Sequence, residues 1–239
     1  MEWWKLAILF SSAFLGGLSV FLVKKDNSKL LKLILSFSGA YLFAITVLHL
    51  IPHVYETTDP HEIGIFILIG FLLQIFLEQF SQGVEHGHMH HHTHTHQFPI
   101  AIVLSLCLHA FLEGMPLVKD QNNELIFGIS LHHIPAAFVL AGILKHHHQN
   151  RSQIIITLLL FAIMSPAGFF LSHIISRGEI VGMQIYFDKM MGIVIGIFLH
   201  ISTTILFESS AGHKINKQKM IAVLCGIGVA LIGFYSSSH

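Results

Sequence analysis

Eight long apolar segments constrain this chain more than any other feature of its sequence. A helix needs about 20 mostly apolar residues to cross the hydrocarbon core of a bilayer. Only 11% of the residues are charged, against about a quarter in soluble domains. The sequence therefore predicts an all-α, polytopic membrane bundle of eight helices. The predicted segments are Trp3–Val23, Leu31–Pro52, Ile63–Phe80, Phe98–Val118, Leu125–Leu144, Ile154–Ile175, Phe187–Phe207 and Met220–Tyr235.

The charges of the connecting loops alternate along the chain. Basic residues follow the first, fifth and seventh segments, namely Lys24, Lys25, Lys29, Lys32, Lys145, Arg151, Lys214, Lys217 and Lys219. The loops after the second, fourth and sixth segments lean acidic and carry Glu56, Asp59, Glu62, Lys119, Asp120, Glu124, Arg177 and Glu179. Because Lys and Arg accumulate in cytoplasmic loops, we expect both termini to lie outside. The loops are short, so residues 1–239 are predicted to form a single transmembrane domain.

One longer loop, residues 81–97, is rich in histidine. It contains His86, His88, His90, His91, His92, His94 and His96. Such a polar tract with small spacers cannot build a packed core, and the charge alternation places it in the cytosol. We favour a mobile loop that collects metal ions, and a dispensable low-complexity insert is the alternative.

Ionisable side chains inside the apolar segments are the most informative residues. Each costs about 2.5–3.5 kcal/mol on insertion scales and marks a functional site by default. His109 and Glu113 are four residues apart, so they share one face of the fourth helix. His132 and His133 are adjacent and point about 100° apart, so at most one of them is expected to face the same site. The alternative for each residue is a hydrogen bond that merely satisfies two buried groups.

Two prolines lie beside these candidates. Pro116 removes one backbone donor, so the carbonyl of Leu112 is expected to be free as a further ligand or a hinge. Pro135 is expected to break the fifth helix at depth. Irregular backbone inside a membrane is tolerated where it lines a cavity, and broken helices often mark the binding sites of transporters.

Polar candidates in the remaining segments suggest a path rather than one isolated site. They are His49, His53, Glu78, His173, His200 and Glu208. Singly, each is better explained as a satisfied buried polar group. Together with the fourth and fifth segments, they describe a route for a metal ion across the lipid bilayer.

The ligand chemistry narrows the choice of ion. Imidazole and carboxylate without thiolate suit Zn²⁺, Fe²⁺, Mn²⁺ or Co²⁺. The excess of histidine favours zinc as the substrate, and Cd²⁺ is a further candidate. Cys107 and Cys225 form no CxxC motif and are expected to be small buried hydrophobes. The formal net charge of zero excludes the strong basic bias of a nucleic-acid-binding protein.

The order of these motifs resembles that of the ZIP family of metal transporters over nearly the whole chain. His49-Leu-Ile-Pro52 resembles the family's His-Leu-Leu-Pro-Glu-Ala motif, with His53 where Glu is usual. His109-Ala-Phe-Leu-Glu113-Gly114 resembles the His-Asn-x-Pro-Glu-Gly signature of the fourth helix. The remaining matches are His132-His133-Ile-Pro135 in the fifth helix, Ser165-Pro166-Ala-Gly168 in the sixth, and Gly196 to His200 through Glu208 in the seventh.

This resemblance implies a metal site between the fourth and fifth helices. Its primary ligands would be His109, Glu113 and His132, and His133 falls where a second ion would gain a ligand. The family's Glu of the fifth helix is Ala136 here and its Asn of the fourth helix is Ala110, so we expect one ion rather than two.

The same resemblance implies zinc uptake toward the cytosol by alternating access, commonly by a homodimer and without enzymatic activity. We expect an integral protein of a bacterial inner membrane. Two other functions stay open. The replacement of the family's Asn and Glu by Ala110 and Ala136 fits a membrane sensor that binds metal but does not conduct it. An intramembrane zinc hydrolase would use Glu113 as its base, although the chain has no HExxH motif.

Overall fold

The computed structural model describes residues 3–22, 28–57, 59–81, 83–84, 98–118, 124–176, 187–208 and 216–237. These residues form eight helices long and apolar enough to cross a membrane, which confirms the predicted all-α bundle. The helices are α1 (Trp3–Phe21), α2 (Lys29–Glu56), α3 (Pro60–Ser81), α4 (Ile100–Val118), α5 (Glu124–His146), α6 (Arg151–Ser176), α7 (Phe187–Phe207) and α8 (Lys217–Ser236). The orientation of the termini stays a prediction. The seven loop histidines from His86 to His96 lie outside the described residues.

The helices α4 and α5 lie at the centre of the bundle and bury the largest share of their residues. Around them, α1 packs against α5 and α6, α4 against α6, α3 against α7, and α2 against α8. The outer helices α3 and α8 expose large apolar side chains such as Leu72 and Ile232, as expected of helices that face lipid. Cys107 is buried but Cys225 is exposed on α8. The expectation of burial is therefore wrong for Cys225, because an outer membrane helix buries only one face.

Close backbone contacts at glycine hold α4 against α6. A Cβ atom added to Gly168 of α6 would lie 1.9 Å from the carbonyl oxygen of Phe111 in α4. A Cβ atom added to Gly114 would lie 2.1 Å from the carbonyl oxygen of Ser165. Small residues allow such approach between membrane helices, where packing rather than hydrophobicity drives association. Because Phe111 lies between His109 and Glu113, this contact fixes α4 at the level of its ionisable residues.

The structure contradicts both expectations about the prolines near the site. The N–H of Met115 donates to the carbonyl of Leu112, and a 3₁₀ turn follows over Met115–Val118. The Leu112 carbonyl is therefore not free, because tightening of the last turn supplies a donor three residues on. The helix α5 runs without interruption through Pro135. A proline removes only one bond of the ladder, and the surrounding protein keeps the other turns in place.

The helix α2 contains a π-helical turn over Thr46–Leu50. There the N–H of Ile51 donates to the carbonyl of Thr46, five residues back, and Pro52 follows directly. A π turn inserts one extra residue and rotates the side chains beyond it. Such turns recur at functional sites, and this one contains His49.

Candidate metal site

The fourth helix supplies a histidine and a carboxylate on one face. His109 and Glu113 are separated by one helical turn, and both are fully buried. The Nε2 atom of His109 lies 3.3 Å from Oε2 of Glu113. Two ligands of a tetrahedral zinc ion, each about 2.0–2.2 Å from the metal, are about 3.3–3.5 Å apart. The two side chains are therefore spaced as one edge of such a site.

The fifth helix brings a third donor to this pair. His132 is fully buried, and the potential ligand atoms of His109, Glu113 and His132 all lie within 4.8 Å of one another. Within the part of the chain that the structure describes, no other group of three His, Cys, Asp or Glu residues meets this criterion. Three protein ligands leave the fourth position of a tetrahedral ion open, which suits an ion that must also be released.

His133 contacts the same carboxylate in a different way. Its Nε2 atom lies 2.7 Å from Oε2 of Glu113, a hydrogen-bond length shorter than the edge of a zinc tetrahedron. Both adjacent histidines therefore reach the cluster, and the expectation that at most one would do so is wrong. The two rings can point in different directions because both lie close to the carboxylate of Glu113.

The second carboxylate oxygen of Glu113 is suited to a cation. Oε1 is buried and has no hydrogen-bond partner among the described residues. A buried charged acceptor without a donor is costly, and a metal ion would satisfy it. Ala110 and Ala136 are both buried, and neither side chain offers a ligand atom.

The sixth helix packs against the segment of α4 that carries the candidate ligands. The hydroxyl of Ser165 donates to the carbonyl of Ala110 over 2.6 Å, one residue along α4 from His109. This bond and the glycine contacts tie α6 to the segment of α4 that carries the candidate ligands. The Ser165–Gly168 stretch therefore supports the site through backbone packing.

Two further His–carboxylate pairs lie away from this cluster. Nε2 of His49 in α2 lies 2.9 Å from Oε2 of Glu124, the first residue of α5. Nε2 of His200 in α7 lies 3.4 Å from Oε2 of Glu78 in α3, and the ring of Phe71 packs edge-on against His200. By the predicted orientation, the first pair is at the outer end of the bundle and the second is toward the inner end.

Of the other candidates in the apolar segments, the structure describes the side chains of His53 and His173. His53 is exposed at the end of α2. His173 is half-buried, and its ring stacks on Phe169. Glu208 directly follows α7, and its side chain lies outside the described residues.

Sequence reasoning missed the part played by two residues. The sequence predicts Glu124 in the loop before α5, yet it begins α5 and pairs with His49. Gln74 lies one turn before Glu78 in α3, and it contacts His109. The sequence offers one indication of a role for Gln74: its four-residue spacing from Glu78 places both residues on one face of α3.

A bundle of membrane helices with a buried His–carboxylate cluster at its centre is the architecture of a metal-ion transporter. Residues 85–233 match the family described as ZIP Zinc transporter. The chain is 25% identical over 219 residues to zinc transporter ZIP9 of Xenopus tropicalis, covering 78% of this chain and 70% of the relative. It is 24% identical over 221 residues to zinc transporters ZIP9-B and ZIP9-A of Xenopus laevis, covering 79% of this chain and 70% of each.

The chain belongs to the ZIP family of zinc transporters and is a divergent member of it. This membership confirms the predicted family and the integral membrane setting. It also supports zinc as the transported substrate, since the family is described as zinc transporters.

Proposed function

We propose that the protein carries single Zn²⁺ ions toward the cytosol by alternating access, through the cluster of His109, Glu113 and His132. The single observation that carries the proposal is the convergence of these three buried donors from two helices. Imidazole and carboxylate ligands without thiolate fit zinc. His133 or water would fill the fourth position. Transport of Fe²⁺, Mn²⁺, Co²⁺ or Cd²⁺, a homodimer, and a bacterial inner membrane stay predictions.

The burial of the cluster supports alternating access. All three donors have no exposed surface, so an ion can reach or leave them only when the helices move. A carrier that exposes one buried site to each side in turn meets this requirement, whereas an open channel does not. The direction of transport rests on the resemblance to the ZIP family. The charge alternation of the loops only assigns the basic loops to the cytosol.

Cellular accumulation of radiolabelled zinc tests this function. Expression in a bacterium that lacks its own zinc uptake systems should raise the zinc content of the cells well above that of a vector control. A lower content than in the control would show export and contradict the direction. Unchanged content, together with zinc binding by the purified protein, would favour the non-conducting sensor.

The two outlying His–carboxylate pairs should affect the rate of transport more than the affinity of the site. We expect His49→Phe and His200→Phe each to slow zinc flux into proteoliposomes by about tenfold, which corresponds to ~1.4 kcal/mol in the barrier. The equilibrium dissociation constant for zinc should stay within about twofold of wild type, because neither residue belongs to the central cluster. His173→Phe is the matched control, since its ring stacks on Phe169 and belongs to neither pair. An equal loss of flux in all three variants would show that neither pair has a specific role in the transport pathway.

A further inference from the structure

A buried glutamine of α3 contacts the far side of the His109 ring. Gln74 has no exposed surface, although α3 faces outward along most of its length. Its Oε1 atom lies 3.3 Å from Nδ1 of His109, slightly longer than a typical N–H···O hydrogen bond. Nε2, the other ring nitrogen, is the atom that faces Glu113.

This contact decides which nitrogen of His109 is available to a metal ion. An amide oxygen can only accept a hydrogen bond, so Nδ1 must carry the proton. In a neutral imidazole, Nε2 then keeps its lone pair and can bind a metal. Coordination at Nε2 makes the Nδ1–H group a stronger donor, so the bond to Gln74 should tighten when zinc is bound.

The positions of both partners are fixed by packing one turn away. The hydroxyl of Ser105, four residues before His109, donates to the carbonyl of Leu77 in α3 over 2.7 Å. A Cβ atom on Gly70, four residues before Gln74, would lie 1.9 Å from the carbonyl oxygen of Ile193. The helix α3 is therefore held between α4 and α7, and the amide of Gln74 is presented to His109 by a fixed backbone.

We propose that Gln74 is a positioning residue that holds His109 in the tautomer and orientation that bind zinc. This inference rests on the proposed role of His109 as a zinc ligand. Second-sphere partners of this kind typically change metal affinity by about 10- to 100-fold. Gln74 therefore increases the zinc affinity of the carrier through His109, without being a ligand itself.

The test measures zinc affinity of the purified full-length protein by competition with a chelating dye. Gln74→Met keeps the length of the side chain but removes the strong acceptor, and it should weaken zinc binding by roughly 10- to 100-fold. Gln74→Glu keeps an acceptor at Nδ1 and should bind zinc at least as tightly as wild type. Gln79→Met, at an exposed position of the same helix, is the matched control and should not change affinity.

A double-mutant cycle separates positioning from a general structural role. In the His109→Ala background, Gln74→Met and Gln74→Glu should each change zinc affinity by less than about twofold, because the residue at position 74 acts only through His109. An undiminished loss in that background would overturn the proposal, as would wild-type affinity of Gln74→Met. If Gln74→Met does not fold, weak binding by folded Gln74→Glu would overturn it as well.

The cycle also distinguishes this inference from the proposed function. If His109→Ala binds zinc as tightly as wild type, the ligand role of His109 fails, and the positioning role fails with it. If His109→Ala binds weakly while Gln74→Met binds normally, the zinc site stands and only the role of Gln74 is lost.

Discussion

Replacing Glu113 by Gln should nearly abolish zinc transport. The substitution keeps the shape of the side chain but removes its negative charge, which faces His109 at 3.3 Å and His133 at 2.7 Å. A bond between a charged group and its partner contributes about 1.5–3 kcal/mol, and Glu113 is also a proposed zinc ligand. We therefore expect zinc flux into proteoliposomes to fall by at least about 100-fold, equivalent to ~2.8 kcal/mol.

Two controls make this result specific. Glu56→Gln makes the same chemical change at an exposed position of α2 and should transport zinc at the wild-type rate. Thermal unfolding should show that Glu113→Gln is folded, since the amide oxygen can still accept from His133. Wild-type flux through folded Glu113→Gln would exclude this carboxylate from the transport site.

Replacing Gly168 by Ala should destabilise the bundle at the level of the site. The added methyl group would lie 1.9 Å from the carbonyl oxygen of Phe111, so α6 and α4 must move apart to accept it. Overpacking of this kind costs about 1–3 kcal/mol, and occasionally more. We expect a clearly lower midpoint of thermal unfolding in detergent, and weaker zinc binding, because α4 carries His109 and Glu113.

Gly228→Ala on α8 is the matched control. Nothing lies within 4 Å of a Cβ atom at that position, and alanine is favoured over glycine in a helix by about 0.8–1.0 kcal/mol. The midpoint of this variant should therefore be unchanged or slightly higher. Equal midpoints for the two variants would show that the contact between Gly168 and Phe111 does not hold the helices together.

Much of the architecture could be predicted because it depends on local patterns. Apolar length defines the eight helices, and the four-residue spacing of His109 and Glu113 already places them on one face. The approach of His132 follows once α4 and α5 are neighbours. These features follow from the length of the apolar segments, the spacing of residues along a helix and the chemistry of the side chains, all of which a single sequence shows.

The rest depends on contacts between helices that a single sequence does not encode in any local pattern. Glu124 pairs with His49 only because α5 begins beside the π turn of α2. Gln74 reaches His109 only because α3 packs beside α4. Pro135 was expected to break its helix, yet the buried surroundings of α5 keep the neighbouring turns intact. In each case, the contact or the course of the helix depends on tertiary packing and not on local propensity.

The central claim is that one zinc ion is held between α4 and α5 by His109, Glu113 and His132. Diffraction from zinc-containing crystals at the zinc absorption edge tests it most directly. The account predicts one anomalous peak in the cluster, about 2.0–2.2 Å from a donor atom of each of the three residues. Two peaks bridged by Glu113, or strong peaks elsewhere with none in the cluster, would contradict it.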